Sequence, residues 1–177
     1  MYYGKKVKLR AYKEEDINKA WIFVNDKEVR SLIAAGTIFP ISLKEERNFI
    51  EKPRGKNEEY NFAIETLESE SFIGGCSVKK VNWVNRNCEI GIMIGDKDYW
   101  NKEYGTDAIK TLLKFIFDEM NLNKVKLGVF GFNKRAIRSY EKCGFKIEGT
   151  EKNEIFRNGE YHDRILMAIF KEDFLDK

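Results

Sequence analysis

The 177-residue sequence contains two prolines, one histidine and three cysteines. It has no apolar run of the roughly 18 residues that a membrane-spanning helix needs, so no membrane partner is expected. Cys76, Cys88 and Cys143 form no C-x-x-C pair, and with His162 as the lone histidine no metal site of a common kind is predicted. An odd cysteine number and a start without an apolar signal segment predict a cytoplasmic protein.

Charge of neither sign is in large excess. The chain has 32 Lys and Arg against 29 Asp and Glu, a net charge of +3, with both signs interspersed. No basic block is long enough to predict nucleic-acid binding, although a mildly basic surface suits a cofactor that carries phosphates. The length and the 42% apolar content suit one folded domain over residues 1–177.

The spacing of apolar residues predicts seven strands and four helices. The predicted strands are Lys6–Tyr12, Tyr60–Thr66, Phe72–Val81, Asn87–Ile94, Lys124–Phe130, Phe145–Ile155 and Tyr161–Phe170. The predicted helices are Glu14–Asn25, Ser42–Ile50, Tyr104–Met120 and Lys134–Lys142, with loops at Ser31–Pro40 and Lys52–Glu59. This order predicts an α/β fold of the α+β three-layer sandwich type, with helices on both faces of a mixed, mostly antiparallel seven-stranded sheet.

The segment from Glu89 to Ala108 runs from a strand through a short loop into a helix. The first turn of a helix has N–H groups without partners, and together with the helix dipole these groups bind anions such as phosphate. Gly105 would let the backbone approach a ligand closely, Thr106 offers a hydroxyl, and Lys102 offers a positive charge. A purely structural turn is the competing interpretation of this segment.

Two stretches resemble the GNAT superfamily of acyl-CoA-dependent N-acetyltransferases. Residues Trp100–Gly105 align with the pyrophosphate loop Q/R-x-x-G-x-G/A of that family, with Trp100 and Glu103 departing from the usual Gln or Arg and Gly. Residues Asn133–Phe145 resemble the family signature N-x-x-A-x-x-x-Y-x-K-x-G-F. Residues Phe145–Gly149 and the turn Asn158–Tyr161 resemble the branch of ribosomal-protein N-terminal acetyltransferases and diamine or spermidine acetyltransferases. The likeness is strongest from Glu89 to Phe170.

The resemblance implies acetyl-CoA as cofactor and direct attack of a primary amine on its thioester. The implied cofactor-binding residues are Ile92, Met93, Ile94, Trp100, Asn101, Lys102, Glu103, Tyr104, Gly105, Thr106 and Asn133. A backbone N–H near Met93 would polarise the thioester carbonyl. Tyr140 matches the family's general acid for the departing thiolate, and a core tyrosine is the competing interpretation. Asn133 is also well placed to cap a helix.

The group that accepts the proton of the amine is open. Glu89 is the first candidate, because strand alternation places its side chain on the opposite face from the apolar side chains of Cys88 and Ile90. The competing interpretation is that Glu89 is a solvated charge on the strand. Asp163 and His162 are further candidates. A non-catalytic acyl-CoA-binding sensor is the alternative function.

The acceptor is expected to be a small-molecule or peptide amine, and a polyamine, a protein N-terminus and an aminoglycoside all fit. Acidic residues near the second predicted helix would attract a polyamine, or they are solvated charges. These residues are Glu45, Glu46, Glu51, Glu58 and Glu59. The closing hairpin is compatible with a homodimer.

Overall fold

The computed structural model describes residues 1–51 and 59–175. Within these residues eight strands form one sheet in the order β1-β2-β3-β4-β5-β6-β8-β7. The strands are β1 Tyr2–Tyr3, β2 Val7–Arg10, β3 Tyr60–Thr66, β4 Phe72–Asn82, β5 Asn87–Ile94, β6 Lys124–Phe130, β7 Lys146–Arg157 and β8 Glu160–Phe170. The α-helices are α1 Asp16–Asn25, α2 Lys27–Ile33, α3 Leu43–Ile50, α4 Tyr104–Lys114, α5 Lys134–Cys143 and α6 Lys171–Leu175. A π-helical turn, Phe115–Glu119, extends α4.

The predicted fold class is confirmed, with one strand more than predicted. The additional strand β1 is two residues long and pairs with Leu9 and Lys8 of β2, and a segment so short has no readable period. The predicted hairpin at the end of the chain is also confirmed. Its turn residues Asn158 and Gly159 both have positive φ, as the favoured two-residue hairpin turn requires.

Helix α2 corrects the prediction of a loop over Ser31–Pro40, because residues as far as Ile33 are helical. The Asp26 side chain accepts hydrogen bonds from the N–H groups of Glu28 and Val29, so a new helix begins directly after α1 ends. The other predicted loop, Lys52–Glu59, lies outside the described residues except for Glu59. None of the helices in the described residues has the length and apolar character needed to cross a membrane.

Helices cover both faces of the sheet. On one face α4 contributes Leu112, and its π-helical extension contributes Ile116, to the main hydrophobic core. On the other face α1 contributes Ala20 and Phe23 to a smaller cluster that includes Phe72 of β4.

Strand β5 takes part in both apolar layers. Its residues Cys88 and Ile90 are buried in the main core, and Ile92 packs against the same core. Met93 packs against the smaller cluster on the opposite face. The predicted alternation of this strand is therefore confirmed, and Met93 faces the layer formed by α1.

The sheet opens between β5 and β6. The two strands are parallel neighbours only where Asn87–Glu89 pairs with Lys124–Lys126. Strand β5 continues to Ile94 against β4, and β6 continues to Phe130 against β8. The two strands therefore separate and leave a fork between them.

A buried ion network joins β2, β3 and α1. The Arg10 guanidinium donates to both Asp16 carboxylate oxygens, at 2.6 and 3.0 Å, and it also donates to Glu65. Lys8 lies 2.6 Å from the other Glu65 oxygen. Burial opposes ionisation of Glu65, but hydrogen bonds from Lys8 and Arg10 hold its pKa below the usual value. Arg10, Asp16 and Glu65 are all buried, so each charge depends on its partners.

We expect Arg10→Met to lower the free energy of unfolding by about 3–5 kcal/mol, because it leaves buried Asp16 without its cation and removes one of the cations that hold buried Glu65. Denaturant unfolding measures this loss. Arg47→Met is the control, since Arg47 makes exposed pairs with Glu14 and Glu51 and should cost no more than about 1 kcal/mol. Equal losses in the two variants would contradict a special role for the buried network.

Candidate active site

A cavity of about 790 Å³ lies at the fork and is lined from both sides of the sheet. Gly105 and Thr106 of α4 line it on one side, together with Tyr140 of α5. Tyr12 and Phe72 line it on the side of the smaller cluster. A molecule lying through the fork could therefore reach both layers.

The loop before α4 keeps the turn of a phosphate-binding loop. Asn101 and Glu103 have φ of 59° and 67°, the left-handed conformation that glycine adopts most readily. The first helical hydrogen bond of α4 runs from the N–H of Asp107 to the Glu103 carbonyl at 2.9 Å. Within the described residues, the preceding N–H groups at positions 104–106 have no backbone acceptor. Unpaired N–H groups at the positive end of a helix dipole are suited to bind an anion.

Gly105 is not required by the protein's own packing. A Cβ atom built there would meet Ile94 at 3.5 Å, an ordinary contact. The open space beside Gly105 is therefore available to a ligand.

The Glu103 carboxylate, a departure from the family pattern, is engaged by another side chain. Lys142 of α5 donates to it, and this hydrogen bond lowers the pKa of Glu103. Both side chains are about half exposed. The negative charge beside the anion site is therefore largely compensated by a cation from the second signature.

Trp100, the other departure, links the end of β5 to α5. Its Nε1 donates to the Ile94 carbonyl at 2.7 Å, and the Arg135 guanidinium lies 3.5 Å from the ring centroid. Such stacking is a favourable cation–π arrangement. Arg135 is not among the predicted site residues, although it lies within the Asn133–Phe145 signature. The stack supplies a cation where the family has Gln or Arg.

The backbone of β5 presents hydrogen-bonding groups to the fork. The Met93 carbonyl lies against Gly74 of β4. Because backbone groups alternate along a strand, those of Ile92 and Ile94 face the opened side. The bond from Trp100 to the Ile94 carbonyl agrees with this direction.

Two predicted residues of α5 line the cavity. Tyr140 is buried, its ring packs edge-to-face on Phe145, and burial raises the pKa of its hydroxyl. Asn133 caps α5 by accepting from the N–H of Ala136 at 3.1 Å, which confirms the capping prediction. Among the described residues, the amide nitrogen of Asn133 has no hydrogen-bond partner, so it can donate to a ligand.

The three candidates for the group that accepts the amine proton are either far from Met93 or outside the cavity. Glu89 lines the cavity, but it is four residues before Met93, about 13 Å along an extended strand, and it is paired with Lys80 at 3.1 Å. Asp163 pairs with Lys152, and His162 packs on Phe132. Neither Asp163 nor His162 lines the cavity.

Most of the predicted cofactor-binding residues line the cavity. The exceptions are Lys102, whose carbonyl accepts from Lys6 at 3.0 Å, and Tyr104, whose ring packs on Tyr99.

The acidic residues of α3 differ from one another in environment. Glu45 is exposed and completes a capping box with Ser42, and Glu51 pairs with Arg47. Glu46 is 6% exposed and lines the cavity, so the interpretation as a solvated charge is wrong for this residue. Glu58 lies outside the described residues.

Tyr12 is a cavity residue that sequence analysis missed. Its hydroxyl lies over Gly75, the β4 partner of Met93, and its ring packs on Phe72. Burial raises the pKa of the Tyr12 hydroxyl. The sequence contains no signal for this placement, since Tyr12 follows the end of β2.

A fork between parallel strands, beside an open helix N-terminus, suits a phosphate-bearing acyl carrier whose arm has amides of its own. The family profile for the acetyltransferase (GNAT) domain matches residues 6–146. The chain belongs to the GNAT acetyltransferase family, and it is an acetyl-CoA-dependent N-acetyltransferase.

Several relatives are similar over much of the chain. The prophage-derived uncharacterized N-acetyltransferase YokL of Bacillus subtilis is 30% identical over 172 residues, covering 97% of this chain and 93% of the relative. Spermidine N(1)-acetyltransferase of Vibrio cholerae is 31% identical over 121 residues, covering 68% of this chain and 69% of the relative. These relatives do not favour the alternative of a non-catalytic sensor.

A solved structure shows the same fold. The crystal structure of spermidine N-acetyltransferase from Vibrio cholerae in complex with CoA and spermine superposes with a TM-score of 0.85 at 28% identity. It covers 96% of this chain and 98% of that chain.

We expect Glu103→Gly to be more stable than Glu103→Ala by about 1 kcal/mol, because only alanine keeps the Cβ strain of the left-handed conformation. Both variants lose the pair with Lys142, so their difference in denaturant unfolding isolates the backbone. Both should bind CoA about two- to fivefold more tightly than the parent in calorimetry, since an exposed charge contributes roughly 0.5–1 kcal/mol. Equal stability of the two variants would contradict the strain at this position.

Proposed function

We propose that this chain acetylates the primary amine of a small molecule or of a peptide, with acetyl-CoA lying in the fork between β5 and β6. The observation that supports this most strongly is the opened edge of β5 beside unpaired N–H groups at the start of α4. Residues 1–177 are proposed to work as one domain in the cytoplasm.

The cofactor would be held along β5. Its pantetheine arm has amides that can pair with a strand edge, and Ile92 and Ile94 present backbone groups there. One of their N–H groups would polarise the thioester carbonyl near Met93, as an oxyanion-hole donor does. Asn133 matches the family position that hydrogen-bonds the cofactor arm, and its amide nitrogen would donate that hydrogen bond.

The pyrophosphate would lie at the start of α4. The N–H groups of Tyr104, Gly105 and Thr106 would donate to it, within the loop formed by Asn101 and Glu103. The side chains of Lys102 and of Arg135, stacked on Trp100, would add positive charge. Electrostatic attraction to both cations falls as salt is added.

Tyr140 is proposed as the general acid. The amine loses its ammonium proton to solvent and its nitrogen attacks the carbonyl carbon. The carbon–sulfur bond breaks, the Tyr140 hydroxyl gives its proton to the leaving thiolate, and the proton released by the new amide nitrogen returns to Tyr140 through solvent. The raised pKa of this hydroxyl keeps it protonated over the neutral range, so the proton is available when the thiolate forms. Relatives named for spermidine make a polyamine the first acceptor class to test beside peptides.

We expect Tyr140→Phe to lower kcat about 10²–10⁴-fold, with the affinity for CoA unchanged, because proton donation is lost while the packing is kept. Thiol release from acetyl-CoA with a panel of amines measures kcat, and calorimetry measures CoA binding. Tyr60→Phe is the control, since Tyr60 packs on the main core and does not line the cavity. Equal kcat values in Tyr140→Phe and the parent would contradict the assignment.

A homodimer through β7 is proposed as the oligomeric form. Strand β7 is at the edge of the sheet, and the adjacent hairpin exposes the large side chains of Ile147, Phe156 and Tyr161. An unpaired edge of this kind can pair with another chain. Light scattering should give a dimer mass that Phe156→Lys converts to a monomer mass, and a monomeric parent would contradict the proposal.

A further inference from the structure

Glu46 is a buried carboxylate without an ion-pair or hydrogen-bond partner in the described part of the chain. It is 6% exposed and lines the cavity. It lies one helical turn before Ile50, which packs against the same cluster as Tyr12 and Met93. Glu46 therefore faces the layer on the Met93 side of the sheet, opposite the start of α4.

Arg30 is a second unsatisfied charge in the same cavity. Its Nε is buried and has no hydrogen-bond partner within residues 1–51 and 59–175. Arg30 is close enough to Glu46 to oppose the rise of its pKa that burial causes, yet the two side chains form no ion pair. The Glu46 carboxylate and the Arg30 guanidinium therefore line the same cavity without forming an ion pair with each other.

Other charges on this side of the cavity are mostly engaged. Glu45 is held by Ser42, and Glu89 by Lys80. Arg164 is held by Glu151 at 3.0 Å. Lys79 lies beside Gly91 of β5 and adds a further positive charge. On this side of the cavity the charges left for an acceptor are thus the Glu46 carboxylate and the Arg30 and Lys79 cations, and Arg138 of α5 lines the same cavity as a further cation. This surplus of positive charge does not suit a molecule with several ammonium groups.

The wall around Glu46 and Arg30 is apolar. Phe39 and Phe49 line the cavity and are 55% and 51% exposed, although each has a large apolar side chain. Leu32, Ile33 and Ile41 line it as well. Apolar side chains left open at a cavity with a few polar groups are typical of a small-molecule site.

We infer that the acceptor is an α-amino acid with an apolar side chain, whose ammonium binds Glu46 and whose carboxylate binds Arg30. The inference rests on the proposed function and names its acceptor. The apolar wall would contact the side chain of the amino acid. The ammonium gives one proton to solvent before the amine attacks the thioester, and the adduct loses a second as the amide forms. The product amide is neutral, so it has no ion pair with Glu46 and leaves more readily.

The test compares L-phenylalanine with L-phenylalaninamide, which lacks the carboxylate. Calorimetry on the protein, with and without CoA, gives binding, and thiol release from acetyl-CoA gives turnover. The parent should bind phenylalanine at least about tenfold more tightly than the amide, as expected for a charge-assisted hydrogen bond. Arg30→Gln should abolish that preference, and Arg30→Lys should keep part of it. Glu46→Gln should weaken both ligands, whereas Arg47→Gln, on the same helix but outside the cavity, should change neither.

Several outcomes would overturn the inference. Equal binding of the two ligands, or no binding of either, would exclude a site for the carboxylate. An equal effect of Arg30→Gln on both would indicate that Arg30 and Glu46 are only a structural pair. Turnover of spermidine or of a peptide without phenylalanine binding would refute the inference and leave the proposed function standing. Failure to bind CoA would instead refute the proposed function.

Discussion

The organisation of this protein depends on where the pairing between β5 and β6 ends. Each strand is held by its other neighbour, β5 by β4 and β6 by β8, so both can continue straight after they separate. The separation leaves backbone groups of one strand edge without a strand partner inside a folded protein, although the Ile94 carbonyl accepts from Trp100. Such groups are costly to bury, and a ligand with amides of its own satisfies them. The fork therefore determines the proposed cofactor path, and the layers on either side of it contribute the residues that would contact the cofactor and the acceptor.

The loop proposed to receive the phosphates departs from the family pattern at two positions, and other residues compensate for both departures. Glu103 keeps the left-handed turn at a cost of about 1–2 kcal/mol for a residue with a Cβ atom. Its charge is balanced by Lys142, and the missing Gln or Arg at Trp100 is replaced by Arg135. Both compensating cations come from α5, the helix that also contributes Tyr140. The two signatures are thus physically one site, although about 30 residues separate them in the sequence.

Sequence analysis succeeded where a local period or a cap determines the structure. The alternation of Cys88 and Ile90 with Glu89 follows from strand geometry, and Asn133 caps α5 because its side chain reaches a nearby N–H. It failed where a residue is defined by distant neighbours. Tyr12 and Arg135 reach the cavity through tertiary contacts that no local pattern encodes. Helix α2 was missed because Asp26 begins it directly after α1, without an intervening turn.

Helix α3 shows why the part of the cavity proposed to bind the acceptor was the hardest to predict from the sequence. Its apolar Phe49 is half exposed, whereas its charged Glu46 is buried, the reverse of the pattern that an amphipathic helix gives. A buried carboxylate with a raised pKa binds protons more tightly in the folded than in the unfolded protein. Its ionised form therefore costs folding free energy, and this cost grows as the pH rises above the unfolded pKa. A bound ammonium would offset that cost by stabilising the ionised form, so the strain at Glu46 favours occupancy of the site by a cation. Residues that weaken the fold in this way are expected where binding, rather than packing, determines which residue is present.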